Sequence, residues 1–268
     1  MENAQVMIEK NIATEKPDDD HVVKMWTPYN IQVDETYPFL ASKAFTRVTN
    51  AVKAIAIPIL SVINKVAFHL EIEGRENLAP LSGQGYITVC NHVNMLDCAM
   101  IATAVHRNDI VFTTIKENFE IPVVRLFVKL LGAIPIPRTV KAMQKFSEAV
   151  ETLLKNGHVV HFYPEGVLFP YYNGLRKFKR GAFNYAGKFQ VPIVPMVITY
   201  HAPKTAFRKR PTAKIHVLPP VYPDASLSER ERIQALRTEV TNCMQEKFNS
   251  VDCLRDNTAV LEKYKKAQ

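Results

Sequence analysis

"GYITVCNHVNMLDC", residues 85–98, is the stretch that decides the fold class. Its apolar run YITV has the length and the β-branched composition of a buried strand. Polar residues follow at once, and we predict a helix from about residue 95 to 106. A strand that leads through a polar turn into a helix is the repeating step of α/β proteins. The stretch therefore predicts an α/β fold.

The rest of the chain repeats this alternation. We predict strands over residues 68–74, 85–90, 109–115, 133–136, 158–163, 192–200 and 213–219, and helices over about 95–106, 121–131, 139–156, 180–189 and 226–249. Ser228 and Glu231 have the spacing of a capping box at the start of the last helix. The alternation implies a largely parallel central sheet covered by helices. In such sheets the chemistry collects beyond the carboxyl ends of the strands.

Composition divides the chain into three regions. Residues 1–36 are polar and acidic, and we expect them to form a loosely docked arm. Residues 37–67 are expected to form an N-terminal helical, membrane-associating segment, and residues 68–268 the α/β domain. The most apolar part of the helical segment, residues 54–63, has about half the length that crosses a bilayer, so we do not expect a transmembrane span.

Two helical stretches each have two interpretations. Residues 39–69 either pack on the protein's own core or lie in the membrane interface with their lysines at head-group level. Residues 121–135 are apolar except for Arg125 and Lys129, and they form either a core helix or a helix that dips into the bilayer. The sequence pattern leaves both alternatives open.

The charge distribution favours anionic partners. The net charge is +8; residues 1–36 contribute −5, so the remaining residues carry +13. Nucleic acid, acidic lipid head groups and phosphorylated substrates all suit such a body. The chain lacks the interleaved aromatic and basic residues typical of single-strand binding, so we expect no nucleic-acid partner.

The cysteines and the N-terminus indicate a reducing compartment. The four cysteines form neither a C-x-x-C pair nor a dense framework, which argues against structural zinc. The first twenty residues are acidic and polar, unlike a secretory signal or a transit peptide. We therefore expect the basic domain to face the cytosol.

The first candidate site is the pair His92 and Asp97. Five residues on a continuous helix would turn the two side chains about 140° apart. They can meet only if His92 lies on the turn and Asp97 lies in the first helical turn, which Asn91 or Asn94 could cap. Asp97 would then fix the imidazole tautomer, and His92 could take a proton from a substrate hydroxyl. Alone, this pair is a weak signal.

Three further motifs strengthen it. They are "GAIPIPR" (132–138), "FYPEGVLFP" (162–170) and "VPIVPMV" (191–197), which follow "NHVNMLD" (91–97). In this order the four blocks resemble those of the PlsC-like glycerolipid acyltransferases, the lysophosphatidic acid acyltransferase family. That family has the order N-H-x-x-x-x-D, G-x-[IF]-x-I-x-R, F-P-E-G and V-P-[IV]-[IV]-P. The resemblance covers roughly residues 68–220.

The resemblance implies acyl transfer from acyl-CoA or an acyl carrier protein to the sn-2 hydroxyl of 1-acyl-glycerol-3-phosphate, which gives phosphatidic acid. It makes His92 the general base and Asp97 its orienting partner. It also makes Arg138, Glu165 and Gly166 the residues that bind the glycerol-phosphate end of the acceptor. Backbone N–H groups near Gly166 or in the His92 turn are candidate oxyanion donors.

The same resemblance implies the partners and the location. The acyl donor is a substrate, and we expect no bound cofactor and no metal. The partners are a lysophospholipid acceptor, the acyl donor and a membrane surface. The expected location is the cytoplasmic face of the cell membrane, as a peripheral or monotopic protein.

One departure from the family pattern bears on the acceptor. The family usually continues Glu-Gly with Thr-Arg-Ser, whereas this chain has Val167 and Leu168. The missing guanidinium removes a bidentate phosphate partner. Either Arg176 and Lys177 compensate, or the acceptor is another lysophospholipid or lyso-amine-lipid without a phosphate monoester. A non-catalytic lipid-binding protein is a third alternative.

Overall fold

The computed structural model describes residues 27–169, 172, 174–202 and 211–254. The predicted acidic arm therefore lies mostly outside the described residues, because only residues 27–36 of it are included. The strands are β1 Glu71–Glu73, β2 Tyr86–Cys90, β3 Ile110–Thr114, β4 Ile134–Pro135, β5 Val159–Phe162, β6 Ile193–His201 and β7 Thr212–Val217. The helices are α1 Lys43–Ala67, α2 Asp97–Val105, α3 Pro122–Leu130, α4 Val140–Lys155, α5 Gly181–Phe189 and α6 Glu229–Ser250.

The strands form one sheet in the order β1-β7-β6-β2-β5-β3-β4. Every pairing is parallel except that of β6 with β7, so the predicted largely parallel sheet is confirmed. All seven predicted strands are present. Because β2, β5, β3 and β4 run in the same direction, the polar turns that follow them lie at one edge of the sheet.

Each face of the sheet packs on its own group of helices. Side chains alternate along β2, so Ile87 and Val89 face one cluster while Tyr86 and Cys90 face the other. The first cluster contains apolar residues of α4, α5 and α6, and the second contains those of α2 together with Ile57 of α1. The sheet is therefore covered on both faces, which explains why β2 is buried along its whole length.

Helix α6 confirms the predicted capping box and apolar stripe. The Ser228 side chain and the Glu231 side chain bond each other's backbone N–H groups at its start. These bonds satisfy donors that a helix otherwise leaves free. The residues buried against the sheet are Leu236, Val240, Met244 and Phe248.

Helix α1 turns its polar side, and not its apolar side, toward the protein. The amino group of Lys53 donates to the carbonyl oxygen of Ile110 at 2.9 Å, and the Asn64 side-chain amide donates to the hydroxyl oxygen of Thr103 at 3.0 Å. Burial lowers the pKa of Lys53 to about 8. The apolar side chains that remain exposed are Phe45, Val48, Ile55, Ile59, Val62, Ile63 and Val66. The apolar face of α1 is thus not packed on a core.

Helix α3 repeats this arrangement. None of its residues is buried, and Val123, Leu126 and Phe127 are each more than half exposed. The core-helix interpretation of residues 121–135 is therefore wrong. Gly132, just after α3, lies beside α1, since a Cβ at Gly132 would be 3.6 Å from the hydroxyl oxygen of Thr49. We call the exposed apolar side chains of α1 and α3 the apolar surface.

Helix α1 has the length and composition that a membrane span requires, and it is the single helix in the described part of the chain that does. Its 25 residues correspond to about 37 Å. The ten residues 54–63 alone underestimate the length of the helix, because it extends well beyond that run on both sides. Length and composition alone do not distinguish a helix that crosses a bilayer from one that lies on it.

Candidate active site

The turn between β2 and α2 is held in place by the centre of the sheet. Strand β2 is paired on both sides, with β5 and β6. Just beyond its end, the Asn91 side chain accepts from the backbone nitrogen of Ile198 at 2.8 Å and donates to the carbonyl oxygen of the same residue at 2.9 Å. Asn91 therefore ties the turn to β6 and does not cap the helix.

His92 and Asp97 meet in the predicted way. His92 lies on the turn, Asp97 is the first residue of α2, and His92 Nδ1 is 3.0 Å from Asp97 Oδ2. The same oxygen accepts from the backbone nitrogens of Val93 at 2.7 Å and Asn94 at 2.9 Å. The aspartate thus holds the turn and the imidazole together. Asn94 does not cap α2 either, since its side-chain oxygen accepts from Leu96 within the turn.

This arrangement determines which imidazole nitrogen can react. A carboxylate only accepts hydrogen bonds, so Nδ1 of His92 carries the proton and Nε2 has a free lone pair. Burial raises the pKa of the Asp97 carboxyl group, and the hydrogen bond from His92 opposes this rise. The side chain of His92 is 23% exposed while that of Asp97 is fully buried. The pair therefore presents one basic nitrogen to the surroundings.

Glu165 lies behind the histidine. Its two carboxyl oxygens accept from the backbone nitrogens of His92 at 3.3 Å and Arg176 at 3.2 Å. Its side chain is buried, and burial raises the pKa of this carboxyl to about 7. Glu165 therefore links the His92 turn to the segment before α5, whereas the motif resemblance had implied a contact with the acceptor.

Tyr163 is a site residue that the sequence analysis missed. Its ring stacks on the His92 imidazole with centroids 3.9 Å apart and planes 13° from parallel. Burial raises the pKa of the phenol well above its ordinary value, so the hydroxyl stays protonated. The available signal was its place in the F-P-E-G block, immediately before Pro164.

His92 and Tyr163 open onto a cavity of about 780 Å³ at the carboxyl edge of the sheet. Gly166, Leu168 and Arg138 are among the residues that line it. The apolar part is lined by residues from the end of β3, from α3 and from β4 and the turns beside it, namely Phe112, Ile115, Ile121, Val124, Phe127, Val128, Leu131, Ala133 and Ile136. Phe127 belongs both to this lining and to the apolar surface. The cavity therefore connects a reactive nitrogen with an apolar exterior.

Of the three predicted basic residues, one lines the cavity and two do not. Arg138 lies on the cavity wall, where its guanidinium donates to Glu117 at 2.7 Å and the side chain is 69% exposed. Arg176 has its guanidinium over the ring of Phe169, 5.4 Å from the centroid, and Lys177 is exposed. Neither Arg176 nor Lys177 lines the cavity.

Lys179 does not line the cavity either, but its side chain lies against Gly166, which does. A Cβ at Gly166, which has φ of +78°, would be 2.9 Å from the amino nitrogen of Lys179. The backbone nitrogen of Lys179 donates to the carbonyl oxygen of Pro164 at 2.7 Å, which fixes this contact. Gly166 is therefore favoured by its backbone conformation, which leaves the end of the lysine side chain next to it.

The expected oxyanion donors are already engaged. The backbone nitrogen of His92 donates to Glu165, those of Val93 and Asn94 donate to Asp97, and that of Gly166 donates to the carbonyl oxygen of Tyr163. These four N–H groups do not point into the cavity as free donors, so this expectation is wrong for them.

The cysteines near the site do not supply a nucleophile. Burial raises the pKa of the Cys98 thiol to about 11 and that of Cys90 well above its ordinary value. The reactive thiolate form is therefore scarce at neutral pH. Among the residues described, no three His, Cys, Asp or Glu side chains lie together as metal ligands.

Comparison with known proteins finds one family. The acyltransferase family model matches residues 69–199. The chain is 29% identical to the Homo sapiens 1-acyl-sn-glycerol-3-phosphate acyltransferase alpha over 206 residues, which are 74% of this chain and 70% of that protein. It is 25% identical to the Bacillus subtilis 1-acyl-sn-glycerol-3-phosphate acyltransferase over 199 residues, 73% of this chain and 96% of that protein.

A solved structure has the same fold. The 1-acyl-sn-glycerophosphate (LPA) acyltransferase PlsC from Thermotoga maritima superposes with a TM-score of 0.54 and 24% sequence identity, and the match covers 72% of this chain and 78% of that one. The similarities span the residues that build the cavity and its dyad. The chain therefore belongs to the PlsC-like glycerolipid acyltransferase family and is an acyltransferase.

Proposed function

We propose that this enzyme transfers a fatty acyl group from acyl-CoA or an acyl carrier protein to the sn-2 hydroxyl of 1-acyl-glycerol-3-phosphate, giving phosphatidic acid. The observation that carries the proposal is the His92–Asp97 pair beside a largely apolar cavity that Arg138 also lines. The names of the relatives support this choice of acceptor.

The chemistry requires one base and no enzyme nucleophile. His92 Nε2 takes the proton of the acceptor hydroxyl while the hydroxyl oxygen attacks the thioester carbonyl carbon. The tetrahedral intermediate then collapses, the C–S bond breaks, and the departing thiolate takes the proton from the imidazolium. Asp97 stabilises the imidazolium between these two steps.

In this proposal the phosphate of the acceptor lies near the positive charges of Arg138 and Lys179. Arg138 contributes a guanidinium on one wall, and Lys179 contributes an ammonium group next to Gly166. The amino group of Lys179 lies against Gly166, which lines the cavity, and we therefore assign to it the compensation for the missing family arginine. A lysine provides a point charge but not the planar fork of an arginine.

The apolar surface supports a membrane location. Exposed apolar patches of this kind mark sites of interaction with proteins or membranes. An amphipathic helix whose polar face is buried in the protein has only its apolar face left for lipid. The acyl chains could then pass between the bilayer and the cavity past Phe127. We propose a peripheral or monotopic protein on the cytoplasmic face of the cell membrane.

One observation favours a second acceptor. Leu168 lines the cavity at the sequence position where the family arginine is absent. An acceptor without a phosphate monoester, such as another lysophospholipid or a lyso-amine-lipid, would tolerate an apolar wall there. The non-catalytic lipid-binding alternative has no support from the comparisons.

The test uses the purified full-length enzyme in mixed micelles with a panel of acyl-CoA and acyl carrier protein donors and several lysolipid acceptors. We expect the highest kcat/KM with 1-acyl-glycerol-3-phosphate and a loss of about 100-fold or more for His92→Ala. His106→Asn is the matched control, because His106 is exposed at the far end of α2 and asparagine tolerates its left-handed backbone. Undiminished transfer by His92→Ala would refute the mechanism.

A further inference from the structure

Tyr163 does not only line the cavity; its ring also stacks on the imidazole of His92. The planes are close to parallel and the centroids lie only 3.9 Å apart, so the ring faces are in contact. Both residues line the cavity. A face-to-face neighbour prevents rotation of the imidazole while its ring edge, which bears Nε2, stays open.

The turn that carries Tyr163 is held to the His92 turn on both sides of the stack. Glu165 accepts from the backbone nitrogen of His92 at 3.3 Å, and the backbone nitrogen of Phe169 donates to the carbonyl oxygen of His92 at 2.9 Å. Tyr163 itself accepts from Gly166 at 3.0 Å. The stacked geometry is therefore held by hydrogen bonds to the His92 backbone as well as by the contact between the two rings.

The ring face, and not the hydroxyl, makes the contact with His92. The Tyr163 hydroxyl oxygen is buried and has no hydrogen-bond partner among the residues described. The face of an aromatic ring carries negative potential and attracts a cation placed over it. The imidazole becomes such a cation each time it accepts the proton of the acceptor.

We propose that Tyr163 is a positioning residue that holds the His92 ring and stabilises its protonated form through the ring face. This inference rests on the proposed role of His92 as the base. In addition to Asp97, which bonds the edge of the imidazole, the Tyr163 ring would stabilise the protonated His92 from a direction perpendicular to the imidazole plane.

Other titratable groups surround His92 and are present in every Tyr163 variant. They are Asp97 and Cys98 from α2, Cys90 from β2, His161 from β5, Glu165 from the turn after β5, and Glu117 and Arg138 from the cavity wall. Burial lowers the pKa of His161 to about 3, so this neighbour stays neutral. Differences between variants therefore isolate the ring.

The experiment compares Tyr163→Phe, which keeps the ring, with Tyr163→Leu, which removes it. For Tyr163→Leu we expect the acid limb of the kcat/KM profile to move to lower pH by about one unit, with kcat at pH 7 about tenfold lower. Tyr163→Phe should retain nearly the full kcat and the wild-type acid limb. Phe169→Leu is the matched control, since Phe169 is a nearby aromatic ring that packs edge-to-face with Tyr172 and lies under the guanidinium of Arg176.

A graded series guards against misfolding of the leucine variant. Phenylalanines with one, two and three fluorine atoms at position 163 keep the shape and progressively weaken the negative ring face. The acid limb should move stepwise with each fluorine. An unchanged limb throughout the series, or equal losses in Tyr163→Phe and Tyr163→Leu, would overturn the inference.

A second readout separates this inference from the proposed function. The pH dependence of diethylpyrocarbonate modification, with His92→Ala as the blank, follows protonation of His92 without any turnover. We expect its midpoint to move in parallel with the acid limb. A shifted midpoint in an enzyme whose His92→Ala variant is fully active would refute the base assignment but keep the stack, whereas an unshifted midpoint would refute the stack alone.

Discussion

Glu165 accepts a hydrogen bond from the backbone nitrogen of His92, 3.3 Å away, while its other oxygen accepts from Arg176. The carboxyl group thus joins the His92 turn, 73 residues away along the chain, to the segment before α5. Because it is buried, it is a structural support for the base and also a group whose ionisation costs stability.

The pH dependence of stability should reveal this cost. The pKa of Glu165 is raised to about 7 in the folded protein, above its ordinary value of 4.5. The folded state therefore binds the proton more tightly, and the stability that this contributes is present below pH 4.5 and lost as the pH rises to about 7. The loss is on the order of 3 kcal/mol.

Glu165→Gln removes this titration. We expect the Tm of the variant relative to wild type to rise by roughly 5 °C between pH 5 and pH 8, measured by calorimetry in detergent. Glu148→Gln is the control, since this carboxylate lies exposed on α4, where it pairs with Lys145. A constant difference across this range would contradict the assignment.

Asp97→Asn tests the tautomer of His92. The asparagine side chain can direct an N–H toward Nδ1, which would leave the proton on Nε2 and remove the basic lone pair from the cavity. We expect kcat to fall by about 100-fold or more with little change in the acceptor KM. A change confined to KM would instead indicate that Asp97 acts in binding.

Leu168→Arg tests the acceptor. Restoring a guanidinium beside Gly166 should raise kcat/KM for acceptors with a phosphate monoester by about tenfold relative to choline- or ethanolamine-bearing lysolipids. Leu168→Met, which adds no charge, is the control. An unchanged preference would show that residue 168 does not face the head group.

Ile55→Glu tests the apolar surface. Ile55 is 68% exposed on α1, so the charge should not disturb folding, but it should weaken co-sedimentation with lipid vesicles by about tenfold. Val140→Glu is the control, since Val140 is even more exposed but lies at the start of α4, away from this surface. Equal losses in both variants would argue against a specific membrane face.

The sequence pattern predicted the parts of the fold that depend on local periodicity. The alternation of strands and helices, the strand-turn-helix geometry around His92 and the capping box at Ser228 are all found in the structure. Each of these depends on residues close together in sequence.

The remainder depends on contacts between distant segments. Nothing in the spacing of Tyr163 indicates that its ring stacks on His92, and nothing around Glu165 indicates that its oxygens are consumed by backbone N–H groups. Composition showed that residues 39–69 are amphipathic, but not that Lys53 and Asn64 find buried partners. It also did not show that Ile55, Ile59 and Ile63 stay outside while Ile57 is buried. Only the packed fold determines which side of a helix faces inward.

The hydrogen bond between Lys53 and Ile110 ties α1 to the start of β3. If α1 lies in a membrane, this bond fixes the depth of the cavity relative to the lipid. Ile110 begins β3, and Thr113 and Thr114 near its other end line the cavity. With α1 seated in lipid, the reactive edge stands about one strand length, roughly 17 Å, from that anchor. The enzyme would then meet the glycerol backbone of its lipids at a constant level, and a bilayer that places this layer higher or lower would slow turnover without altering any catalytic contact.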